Sequence, residues 1–202
     1  MTIPTHISAT CIISNQIVCK NGETLFIGTA TDTQSFLVEA YKHFEISYNR
    51  FYKMDNLSKV GWLASEILLK DSFDKSKYKT NEVGIVLANA NSSLDSDQRY
   101  MSSVADIPSP ALFVYTLPNI VIGEICIRNG FKGEAAFFVS DKFDANFTEQ
   151  YVNTLFYNQV LKACICGWVD VIGNENKAIL FLVEQGDGAI LFTAQNMDKV
   201  FK

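Results

Sequence analysis

Residues 109–140, SPALFVYTLPNIVIGEICIRNGFKGEAAFFVS, run a helical pattern through a glycine break into an apolar strand. Pro118 suits a first helical turn, and Arg128 and Gly130 suit the last turn and the stop. Gly123 falls mid-helix, where glycine costs about 1 kcal/mol against alanine. The expected compensation is close approach of a neighbouring backbone. Residues 134–140 form an unbroken apolar run, which asks for cover on both faces of a sheet. A helix feeding a strand buried in this way is the unit of an α/β layered domain.

The same alternation extends in both directions. Upstream, EVGIVLANA (82–90) is a second run of this kind, preceded by a charged loop over Lys70–Lys79. A helix follows Asp55, with Leu57, Val60, Leu63, Ala64, Ile67 and Leu68 on one face. An earlier helix carries Phe36, Leu37, Ala40, Tyr41 and Phe44. Residues 7–14 read as an opening strand and 16–28 as a hairpin turning at Asn21-Gly22. Downstream, Val152, Leu155, Phe156, Val160 and Ala163 mark a helix that Asn146 or Thr148 could cap. The strands GWVDVIG (167–173), KAILFLVE (177–184) and GAILFTA (188–194) follow, the last turn being Gly186-Asp187-Gly188. The central strands are predicted to be 82–90, 134–140 and 168–172. With no internal repeat or linker, residues 1–202 read as one domain.

Composition narrows the function. A net charge of −5, from 17 basic and 22 acidic residues without long runs, lacks the basic footprint of nucleic-acid binding. No stretch approaches the roughly 20 apolar residues of a membrane span. The opening MTIPTHISATCIIS has no basic leader, and five cysteines form an odd set, so a reduced cytoplasmic protein is expected. The triplets at Asn56, Asn91 and Asn146 then carry no glycosylation.

Familiar chemistry is sparse. His43 follows Glu39 by one helical turn, which predicts a carboxylate–imidazole contact on a helix surface; His6 is the only other histidine. No metal-ligand spacing occurs. Cys164-x-Cys166 reads as two small buried thiols where a helix meets a strand. Gly186-Asp187-Gly188 reads as a hairpin turn rather than a phosphate loop, and no nucleophile elbow is present. Asp95, Asp97 and Asp106, with Arg99, lie in the Ser-rich stretch 92–110; acid–base work and a capped, solvated loop explain them equally well. No catalytic residue, cofactor site or metal site is assigned.

Three segments in order resemble the N-terminal half of β-ketoacyl-acyl-carrier-protein synthases, which have the thiolase fold. They are ISATCIIS (7–14), FYKMDNLSKVGWLASEILL (51–69) and, most closely, 109–140. The resemblance implies an αβα arrangement that is half of a thiolase-type fold. It also places the nucleophilic cysteine of the family just after the strand ending Val139-Ser140. This chain continues Asp141-Lys142-Phe143, so Phe143 stands at the nucleophile position, and a phenyl ring cannot form a thioester. The two histidines that family members carry in a second half have no counterpart in His6 or His43. Cys126, Cys164 and Cys166 are poor substitutes, lacking an electropositive and accessible setting.

The resemblance therefore implies a non-catalytic, synthase-like subunit in fatty-acid or polyketide-type biosynthesis. It would pair with itself or with a β-ketoacyl synthase-like partner, and acyl carrier protein is a possible further partner. In the family the strand matching 134–140 lies beside its mate across the dimer axis. The apolar segments 112–127, 134–140 and 178–192 also exceed what one small domain can hide, which favours a covered interface. The alternatives are an acyl-chain or small-molecule binding module using an apolar groove at Phe143, and an enzyme with an unrecognised site at Asp95–Asp106.

Overall fold

In the computed structural model, residues 4–104, 108–186 and 188–201 are described. Their strands are β1 (Thr5–Ser14), β2 (Ile17–Lys20), β3 (Glu23–Ile27), β4 (Val83–Asn89), β5 (Ala135–Val139), β6 (Ala163–Ile172) and β7 (Glu175–Gln185). They form one mixed sheet in the order β3-β2-β1-β7-β6-β4-β5. β4 pairs parallel with β5 and β6, while β6–β7, β7–β1 and the two N-terminal hairpins are antiparallel. The turn at Asn21-Gly22 has positive φ at both residues, 51° and 84°, as a two-residue hairpin requires.

Side-chain alternation along the strands builds two cores. Ile13, Ile85, Leu87, Ile165, Val169, Leu180 and Leu182 face one side. There they meet α1 (Thr33–His43), α2 (Asn56–Leu69) and α5 (Ile120–Asn129), whose Phe36, Trp62 and Ile125 are fully buried. Asp55 caps α2 by accepting from Ser58 N at 2.9 Å. Val86, Cys164, Cys166, Ile179, Phe181 and Val183 face the other side, under α6 (Ala145–Tyr157) and α7 (Ala194–Phe201). The helices α3 (Leu94–Val104) and α4 (Pro110–Val114) lie between β4 and α5.

Several sequence expectations need correcting. Residues 134–140 supply an edge strand, not a central one: among the described residues β5 pairs only with β4, and its ends Ala135 and Val139 are exposed. Hydrophobicity alone does not separate an edge that awaits cover from a strand already flanked. The run 188–194 makes only an isolated bridge, Leu191 to His6, with Ile7 N donating to Ile190 O and Phe192 N to Thr5 O. The Ser-rich stretch is helical over Leu94–Val104, and the helix after Phe143 ends at Tyr157, short of Val160 and Ala163. Cys164 and Cys166 both lie within β6.

Gly123 has no backbone near it; a Cβ there would meet nothing within 4 Å. The close helix–helix approach is made instead at Gly61 of α2, where a Cβ would fall 2.4 Å from Val121 Cγ2 of α5.

Candidate functional site

In a sheet of this kind the reactive groups of an enzyme would gather beyond the carboxyl ends of the parallel strands. Here those ends are Asn89 (β4), Val139 (β5) and Ile172 (β6). After β5, Ser140 N donates to Asn89 O at 2.9 Å and Ser140 Oγ to Lys142 O at 2.9 Å. Asp144 then caps α6 by accepting from Phe147 N at 2.9 Å. Phe143 is thereby held at the entrance to α6, half-buried, with its ring turned onto the second core.

Three aromatic rings surround it. Phe201 of α7 lies flat on Phe143, with centroids 4.1 Å apart and planes 2° apart. Phe181 and Trp168 each stand 6.4 Å away, the latter edge-on. Neither histidine belongs to this group. His6 is buried in β1 beside Gly188, and its Nδ1 has no hydrogen-bond partner among the described residues. His43 packs on Phe26 at 4.6 Å. Its expected partner Glu39 instead accepts from Thr29 N, Thr29 Oγ1 and Ala30 N, closing the loop before α1; these bonds hold the Glu39 carboxyl below its usual range.

Cys126, Cys164 and Cys166 sit where burial disfavours the thiolate. Cys164 and Cys166 are fully buried, and burial pushes both thiols far up. Cys126 on α5 is raised for the same reason. A thiol that stays protonated neither attacks a thioester nor binds a metal. Among the described residues, no group of three His, Cys, Asp or Glu side chains could hold a metal ion. Nor is any helix there long and apolar enough to cross a membrane.

Asp95 and Asp97 of the stretch 92–110 are engaged in local ties. Asp95 Oδ1 accepts from Gly173 N at 3.0 Å, joining α3 to the β6–β7 turn, and its Oδ2 lies 3.3 Å from Arg99 Nε. Asp97 is 3.2 Å from Ser93 Oγ, which donates to the Thr116 carbonyl at 2.7 Å. Asp106 lies outside the described residues, as does Asp187 of the Gly-Asp-Gly turn. Asp55 accepts from Ser96 Oγ at 2.6 Å; burial raises its carboxyl, and Asp95 nearby adds to this.

Sequence reading missed Asp170 of β6. Its two oxygens accept from Asn91 N at 3.1 Å and Asn91 Nδ2 at 2.8 Å. Asp170 lines a cavity of about 470 Å³ on the second face of the sheet, with Gln16, Asn91, Trp168, Asn174 and Lys177. An acidic residue at odd spacing in an apolar strand was the signal for it.

No protein-family model and no curated protein matches the chain. Solved structures do. One is a complex, AntDE:AntF, of a type II polyketide acyl-carrier protein with its ketosynthase bound to the hexaketide. It matches at a TM-score of 0.64 and 15% identity, over 92% of this chain and 63% of that one. The ishigamide ketosynthase/chain length factor matches at 0.62 and 14%, over 92% and 63%. The ketosynthase ApeO with its chain length factor ApeC, from Xenorhabdus doucetiae, matches at 0.59 and 11%, over 93% and 81%. The fold is therefore the thiolase-like α/β fold of the ketosynthases. The chain spans 63% of the length of the first two of these matching chains.

Proposed function

We propose that this chain is a non-catalytic ketosynthase-like subunit that pairs with a synthase-like partner in polyketide- or fatty-acid-type biosynthesis. What supports it is Phe143, which the resemblance puts at the nucleophile position and which lies just after β5, packed flat against Phe201. The named pairs of ketosynthase and chain length factor with this fold support the same reading.

The surface also favours a partner. Among the described residues no strand pairs with the outer side of β5, an edge that a monomer would ordinarily blunt with charge or proline. Phe113, Leu117 and Ile127, on or beside α4 and α5, are 58%, 56% and 58% exposed, and Val139 at the end of β5 is 56% exposed. Apolar side chains this open mark a surface awaiting cover. An obligate interface here buries more than about 2,000 Å² in total. A synthase-like chain fits better than a second copy, because two copies would assemble no nucleophile. Acyl carrier protein would then dock on the assembled pair.

Two measurements test this. The full chain, tagged and recovered from its native cells, is expected to bring down a ketosynthase-like chain in equal amount, and Val139→Lys to lose it. A monomer by sedimentation at micromolar concentration, with no such partner recovered, overturns the reading. Purified alone, the chain releases no CO₂ from malonyl thioesters, and Phe143→Cys does not start the reaction. A stable acyl adduct on any cysteine of the wild-type chain would contradict the assignment.

A further inference from the structure

One end of the second face is open and polar. Where β6, β7 and β1 lie side by side, Asp170, Lys177 and Ser14 stand opposite one another in a row. Glu175 comes two residues before Lys177 on β7, so it shares that face. These side chains and Asn91 border the cavity of about 470 Å³, a volume suited to a small molecule. Among the described residues its apolar lining is Trp168, itself only 6% exposed, and Ile172. Such walls suit a polar ligand rather than a hydrocarbon.

The charges of this cavity do not satisfy each other. Opposite charges facing across a strand pair normally attract. Yet Asp170, Glu175 and Lys177 form no ion pair among the described residues. Asp170 accepts instead from Asn91 N at 3.1 Å and Asn91 Nδ2 at 2.8 Å. These donors fix the carboxylate and leave lone pairs on both of its oxygens. The Lys177 ammonium stands 5.1 Å from the Phe201 ring centroid. One cavity thus holds two carboxylates without a cation and an ammonium without an anion. A phosphate would be repelled by the first and a diamine by the second, whereas a zwitterion complements both. The β1–β2 turn bears on the same cavity. Asn15 and Gln16 have φ of 52° and 58°, and the second position of such a turn ordinarily takes glycine. Gln16 is strained there, and it lines the cavity with a carboxamide that both donates and accepts. Strain kept beside a cavity is a mark of use.

We propose that this cavity binds a free α-amino acid with a short polar side chain. The ligand ammonium lies between Asp170 and Glu175, and its carboxylate meets Lys177 and the Ser14 hydroxyl. Gln16 takes the polar side chain, and Trp168 closes one wall. This goes beyond the subunit reading and does not rest on it, since the single chain supplies every one of these groups.

The test is calorimetric titration of the full chain with glutamine, asparagine, serine and threonine, each at up to about 10 mM. At least one is expected to bind saturably. Acetylating the amino group of that ligand, or converting its carboxylate to the amide, should each weaken binding about ten-fold, as loss of a hydrogen-bonded charge does. Lys177→Met should erase the preference for the acid over its amide, and Glu175→Gln should narrow the preference for the free amine. Gln16→Gly relaxes the turn, so it should hold or raise the melting temperature while weakening binding several-fold, which a merely structural glutamine would not do. Should Lys177→Met fail to fold, Lys177→Gln takes its place. No saturable binding by any of the four, equal binding of the acetylated or amidated form, or tighter binding of glucose, phosphate or putrescine overturns the proposal. A Gln16→Gly chain that binds as well as wild type overturns the part given to Gln16.

Discussion

The two faces of the sheet are finished differently. The first is closed by three helices around fully buried Phe36, Phe51 and Trp62, with Tyr41 stacked on Phe51 at 4.2 Å and Tyr48 on Trp62 at 5.1 Å. The second has, among the described residues, only α6 and α7, a partly buried aromatic cluster at Phe143 and an open polar stretch at Asp170 and Lys177. If a second apolar half belonged on that open stretch, apolar side chains would be expected there. Instead it carries carboxamides and charges, while exposed apolar residues lie elsewhere, among them Met101 of α3, Phe113 of α4, Ile127 of α5, Val139 of β5 and Tyr157 of α6. Among the described residues, exposed apolar side chains therefore gather on helices and at the β5 edge rather than at this polar stretch. α7 takes up much of the cover that the second core needs.

This contrast predicts unequal mutational costs. Trp62→Ala on the first face should lose about 3–5 kcal/mol, the usual cost of emptying a rigid aromatic site. Met197→Ala on α7 should lose nearer 2 kcal/mol, because a short helix can settle into the space. Denaturant titration measures both. An equal or larger loss at Met197 would mean that the second face is as rigid as the first, and would break the comparison.

The first face was also the more legible in sequence. Helical spacing after Asp55 placed α2 and its apolar side, and the unbroken runs placed β4 and β5 as strands. Phe143 stands out in sequence only through the resemblance, and the structure seats it at the entrance to α6. What escaped was decided by partners distant in the chain. β5 reads as central because its residues are apolar, yet edge or centre depends on what lies beyond it. α7, AQNMDKVF, has too few apolar residues to announce a helix, and Phe201 matters only through Phe143, far away in sequence. Residues 92–104 look like a polar loop because the α3 helix is largely solvated. Asp170 drew no attention until Asn91 folded over it.

A smaller effect tests how the first face ends at Asp55. Burial raises its carboxyl above the ordinary 3.8, so the folded state holds its proton more tightly than the unfolded chain does. Between 3.8 and the raised folded value, the native state binds more protons, and stability falls as pH rises through that window. Asp55→Asn keeps an N-cap for α2 and removes the buried charge. It should flatten this part of the pH–stability curve relative to wild type and raise stability at neutral pH. Hydrogen bonds shift the carboxyls of Asp32, Glu39 and Glu82 the opposite way, so the difference between the two proteins is the quantity to follow. An unchanged slope would mean that the Ser58 and Ser96 hydrogen bonds already offset the burial of the charge.

Gly123 gives the smallest expected change and the sharpest separation of fold from assembly. It lies inside α5, where alanine would be the better helix former by about 1 kcal/mol. In the single chain a Cβ there meets nothing within 4 Å, so no packing reason offsets that cost. Gly123→Ala should therefore stabilise the isolated chain by up to about 1 kcal/mol in denaturant titration. Ile127, one turn along the same helix, is largely exposed, so this side of α5 belongs to the apolar surface assigned to a partner. If a partner backbone approaches α5 closely, the added methyl stands in its way and association weakens while the monomer gains. Melting of the single chain and sedimentation of the pair then move in opposite directions. If both improve together, the partner does not approach at Gly123, and the interface must rest on the β5 edge and the α4 side chains instead.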